Sequence, residues 1–198
     1  MNLGLADEIA AAAARLVVDE GMEYVQAKRK AARGLARRQR GGAELPSNEL
    51  VEDEVRAYLE LFCADTQPGE LLALRRLALR WMQRLAEFRP HLSGAVWRGT
   101  ATRLSSIHLD LYCDDPKAAE ITLINLGVAY DVSSVDAAAE VHYLSLAERC
   151  EALDERVTLH LAVRDLDDQR GALKPDARGR SWRGDAAALQ RLMQDGAA

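Results

Sequence analysis

Cysteine is scarce and badly placed for cross-linking. Cys63, Cys113 and Cys150 are the only three, widely spaced and without a CxxC pair, which suits reduced thiols better than a disulfide framework. Long apolar runs are missing too, and none reaches the roughly 18 residues needed to span a bilayer. The alanine-rich start lacks a basic leader and is interrupted by Asp7, Glu8 and Asp19, so it reads as a helix and not as a signal peptide. From these absences the chain is expected to be cytoplasmic, with no membrane partner. GxxxxGK[ST], GxGxxG and GxSxG are absent as well, so nothing points to a P-loop, a dinucleotide-binding turn or a nucleophile elbow.

What is present belongs to a globular protein. Over 198 residues, 48% hydrophobic content against 29% charged is enough to bury a core in one ordinary domain or two small ones, and it excludes wholesale disorder. The net charge of −5 conceals an asymmetry. Between Tyr24 and Ala43 stand seven basic residues (Lys28, Arg29, Lys30, Arg33, Arg37, Arg38, Arg40) and no acid, so the other 19 basic residues face all 31 acids.

Four amphipathic helices are predicted in the first half. Leu5, Ile9, Ala12, Ala13, Leu16 and Val17 repeat at helical spacing over about 6–20, with Gly21 as C-cap. The basic stretch forms a second helix over about 23–39, ended by Gly41-Gly42. Pro46-Ser47-Asn48 caps a third, with Val51, Val55, Tyr58, Leu59 and Phe62 on one face and Glu49, Glu52, Asp53 and Glu60 on the other. Pro68-Gly69 opens a fourth, whose Leu71, Leu74, Ala78, Trp81, Leu85 and Phe88 form an apolar stripe while Arg75, Arg76, Arg80 and Arg84 face away. Pro90 ends it.

Past Pro90 the period changes from 3.6 to 2. Ala95-Val96-Trp97 reads as a short strand closing on Arg98-Gly99-Thr100. In the next strand Ile107, Leu109 and Leu111 share one face, and Ser106, His108, Asp110 and Tyr112 the other. Asp115-Pro116 opens a helix that ends at Gly127. Strands follow over 128–133, 140–146 and 157–164, then a glycine-containing loop, and Asp185 caps a last helix. Strands segregated from helices, with one crossover helix among them, indicate α+β with a mixed sheet. The expected division is a helical region of four helices over 1–90 and an α+β domain over 91–198.

A strand ending in Gly99-Thr100, a short turn and a second strand with a polar face resemble the core signature of the polymerase-beta-like nucleotidyltransferases, over roughly Gly94 to Val132. The resemblance implies a nucleotidyltransferase-like mixed sheet with flanking helices. It also implies divalent metal, Mg²⁺ or Mn²⁺, and a nucleoside triphosphate as ligand. The family holds metal on two carboxylates at alternate positions of the second strand and often a third on a neighbouring strand. One register places Ser106 and His108 in the acidic positions, and another places His108 and Asp110 there; in both, the face holds a single carboxylate. Asp131, after the crossover helix, matches the place of the third acid. The implied catalytic and metal residues are therefore Asp110, Asp131 and His108, and a phosphate-binding pocket is implied at Arg98, Gly99, Thr100 and Arg103. Hard Mg²⁺ needs oxygen ligands and imidazole is softer, so this set predicts an incomplete site without two-metal transfer.

The rival reading comes from the other half. The first helix, the turn at Asp19-Glu20-Gly21-Met22 and the basic second helix resemble the start of a TetR-type helix-turn-helix, which implies nucleic acid as partner. The next helix, SNELVEDEVRAYLE, is acidic where a recognition helix needs to be basic. A basic helix beside an acidic one equally suits a protein partner or a homo-oligomer through the N-terminal helices. Two weaker metal constellations are His142 with His160 on adjacent strands, and Cys113-Asp114-Asp115 with His108.

Overall fold

The computed structural model describes residues 4–36, 44–136, 141–171, 173–176 and 178–195. Within them the chain runs α1 (Leu5–Glu20), α2 (Tyr24–Ala36), α3 (Asn48–Phe62), α4 (Gln67–Arg84), β1 (His91–Ser93), α5 (Gly94–Arg98), β2 (Ile107–Tyr112), α6 (Pro116–Asn125), β3 (Asp131–Asp136), β4 (Val141–Cys150), β5 (Glu155–Arg164), β6 (Arg183–Gly184) and α7 (Ala186–Asp195). Short 3₁₀ turns follow α4 and β5. The fold is α+β, and every described element before Pro90 is helical. No described helix is long and apolar enough to cross a membrane.

Two compact units divide the chain: 1–68 with 100–104, and 69–99 with 105–198. The expected boundary lay after Pro90, whereas by compactness α4 from Gly69 onward groups with the sheet.

In the first unit α1 packs on α2 and α3. Its buried Ile9, Ala10, Ala13, Ala14 and Val17 meet Val51, Val55 and Leu59 of α3 and Ala27 and Ala31 of α2. Alanine at this density lets helix backbones approach closely while paying little rotamer entropy. Gly21, at φ +66°, caps α1 as expected and lies against the Leu104 backbone, where a side chain has no room. The segment 100–104 is held by Gln67 Nε2, which donates to Ala101 O at 2.9 Å, and by contact of Tyr24 Oη with Thr100 Oγ1 at 3.4 Å. Ser47 caps α3 by accepting from Leu50 N at 3.1 Å. The expected end of the second helix at Gln39 lies outside the described residues.

The second unit is built on a six-stranded mixed sheet in the order β3-β4-β5-β2-β1-β6. Pairings are antiparallel except β2 with β5, which is parallel. One face carries Ile107, Leu109 and Leu111 of β2, Leu159, Leu161 and Val163 of β5 and Leu144 and Leu146 of β4, all buried. Asp115 caps α6 by accepting from Lys117 N at 2.9 Å, with Pro116 in the first turn. Asp185 caps α7 through Ala188 N at 2.7 Å.

Three strand expectations need correction. Ala95-Val96-Trp97 is not a strand: β1 is His91–Ser93, and Gly94–Arg98 is the helix α5. Gly94, at φ +68°, turns the chain out of the extended region, and Gly99, at φ +83°, is the left-handed cap of α5 rather than a strand end. The third strand begins at Asp131 instead of 128, because residues 128–130 lead out of the α6 cap. The strand β6, two residues long, was not expected and lies inside the predicted loop.

Candidate functional site

Directly paired residues of neighbouring strands point to the same sheet face. The registers therefore align one polar row across the whole sheet: Asp131 with Ser145, Ser145 with His160, His160 with His108, His108 with Ser93, and Ser93 with Arg183. At the centre the rings of His108 and His160 lie 5.0 Å apart, tilted by 30°, and Ser145 Oγ is 2.9 Å from His160 Nδ1. Gly94 closes on His108: a Cβ there would meet His108 Cδ2 at 3.3 Å.

Asp110 sits one step along the same face, and it is 4% exposed. Arg164 Nε of β5 donates to its Oδ1 at 2.8 Å, while Arg183 Nη1 of β6 lies 3.0 Å from its Oδ2. The same Arg183 nitrogen donates to Tyr112 Oη at 3.1 Å. Edge-on against Tyr112, at 5.3 Å, is the buried ring of His91, whose Nδ1 is 2.9 Å from Arg89 O. Burial pushes the Tyr112 phenol up, and the Asp110 charge adds to that against the opposing pull of Arg183. Burial by itself would lower the Arg164 pKa, yet the hydrogen bond and charge of Asp110 hold it above its ordinary value.

A second ion pair anchors the C-terminal segment. Arg98 Nη1 and Nη2 both donate to Asp176 Oδ2 at 3.1 Å, and both side chains are almost fully buried, at 6% and 2%. The Arg98 guanidinium also lies 4.6 Å over the Trp182 ring and donates to Ser181 O, which accepts from Trp97 Nε1 as well. Burial raises the Asp176 pKa, but the Arg180 and Arg178 N–H groups and the Arg98 guanidinium overcome it, leaving the carboxyl below its ordinary value. Gly184 is needed here because the Trp97 indole occupies the space of a Cβ.

The residues expected to act together are thus distributed. His108 and Asp110 share a face of β2. Asp131 lies in the row of His108, but β4 and β5 stand between them, a backbone separation of roughly 14 Å at ordinary strand spacing. Of the implied phosphate pocket, Arg98 is spent on Asp176, the Gly99 N–H is bonded to Ala95 O, and the Thr100 hydroxyl is buried beside Tyr24. Arg103 is exposed, in the segment that belongs to the first unit. His142 faces away from the His108–His160 pair, since it neighbours Tyr143 in β4 and successive strand residues alternate faces. Among the described residues no group of three His, Cys, Asp or Glu side chains is arranged to hold a metal ion.

Sequence reasoning missed His160 as the partner of His108, and Arg164 and Arg183 as the partners of Asp110. The signal available was the alternation of VTLHLAV, which puts His160 on a polar strand face. No protein-family model matches the chain, and no curated protein matches it.

Proposed function

We propose that this chain is a nucleotidyltransferase-fold protein that binds a nucleotide in a regulatory role and does not run two-metal transfer. The scaffold supports the reading: β1 turns at Gly94 into α5, β2 returns beside β1, and β5 lies parallel on the far side of β2. The observation that carries it is Asp110, whose two oxygens are engaged by Arg164 and Arg183. The alternate position before it on the strand is His108, whose register partner on β5 is His160, and Ser106 stands just ahead of the first strand residue. A hydroxyl, two imidazoles and an ion-paired carboxylate do not fit Mg²⁺, which needs several free anionic or carbonyl oxygens. Without two metal ions the transfer step loses several kcal/mol of transition-state stabilisation, enough to suppress turnover by orders of magnitude. In this reading the phosphates are met by nitrogen donors of His108 and His160.

Calorimetric titration with each nucleoside triphosphate, in EDTA and in Mg²⁺, tests the proposal. Binding of the same affinity in both buffers, lost in the His108→Ala/His160→Ala variant, is the expected result. Binding that requires Mg²⁺, or none to any triphosphate, contradicts it.

A further inference from the structure

One cavity owes nothing to the polar row. It measures about 410 Å³ and lies between one stripe of α4 and the turn that joins β4 to β5, within the range of small-molecule sites. Ala73, Leu77 and Cys150, all buried, form its floor. Arg76 and Arg80 stand at its mouth, exposed and one helical turn apart, beside Gln83. Like charges at this spacing repel across the turn, and neither arginine has an ionic or hydrogen-bond partner among the described residues. Among the described residues Glu151 is the one acid that lines the cavity, on the opposite wall. Two guanidinium groups without an ion-pair partner among the described residues, over an apolar floor, complement a ligand with one anionic end and an apolar body.

We propose that this cavity binds an amphiphilic carboxylate. The head group lies across Arg76 and Arg80 and relieves their repulsion; the apolar chain lies along Ala73 and Leu77 and covers the Cys150 thiol. The inference is independent of any nucleotide site, since α4 and the β4–β5 turn share no residue with the polar row.

Decanoate is the probe. Calorimetry on the full chain should give saturable binding. The double reversal Arg76→Glu/Arg80→Glu changes exposed side chains only, with folding checked by circular dichroism. It should weaken binding about tenfold or more, whereas Arg76→Lys/Arg80→Lys should retain most of it. Decanol and decyltrimethylammonium should not bind. The proposal is overturned by the absence of saturable decanoate binding, by an undiminished signal in the reversal variant, or by decanol acting as well as decanoate.

Discussion

At Asp110 a carboxylate 4% exposed accepts a hydrogen bond from Arg164 and pairs with the charge of Arg183, two arginines that arrive on different strands. Removing either arginine leaves the other in place, so Arg164→Met or Arg183→Met alone should cost only about 1.5 kcal/mol, the lower end of what a bond to a charged group contributes. Removing both strands a buried charge, and the double variant should lose more than the sum of the singles, reaching about 3–5 kcal/mol in urea unfolding. Additive losses would mean that Asp110 is solvated without them. Asp176 supplies the pH dependence. Its folded pKa lies below the ordinary value, so its contribution to stability is complete above the ordinary carboxylate range near pH 4 and fades as pH falls through the depressed folded value. Melting curves should therefore place Asp176→Asn below wild type at neutral pH and bring the two together in acid. Neither clasp was legible in the sequence, because Asp110 and Arg164 are 54 positions apart and an arginine at a strand end carries no mark of the carboxylate it will meet.

The elements were more readable than their contacts. Helices α1 to α4 follow from apolar spacing and from Gly21, Ser47 and the Pro68-Gly69 start, and β2, β4 and β5 from alternation. α5 was misread because Ala95-Val96-Trp97 is too short for a period to separate helix from strand, and only the left-handed turns at Gly94 and Gly99 decide it. In α1 the alanines are a packing requirement. Ala13, fully buried between helices, should tolerate nothing larger, and Ala13→Leu should destabilise by about 1–3 kcal/mol in thermal or urea melts. On α2 three of the basic residues are already committed, Lys28 to Pro46 O and Asn48 Oδ1, Lys30 to Glu20 and Arg33 to Arg29 O. The acidic α3 follows in the chain. Duplex DNA or RNA should accordingly bind weakly and lose affinity steeply between low and moderate salt in anisotropy titrations. Tight, sequence-selective binding that survives moderate salt would favour a regulator of the helix-turn-helix kind instead.

For the whole molecule, composition and the change of period at Pro90 were enough to read α+β with helices first and a mixed sheet after. The strand order was not readable, since parallel pairing of β2 with β5 is decided by long-range packing, and with it went the meeting of His108 and His160. The one carboxylate on the β2 face was visible in the sequence; that arginines from β5 and β6 hold it became visible only in the fold. With its one carboxylate held by Arg164 and Arg183, this face should not support nucleotidyl transfer. The most direct measurement incubates the protein with each labelled nucleoside triphosphate, Mg²⁺ or Mn²⁺ and protein or RNA acceptors, comparing wild type with Asp110→Ala. No label above background is expected from either protein. Label transferred by wild type and abolished by Asp110→Ala would contradict it.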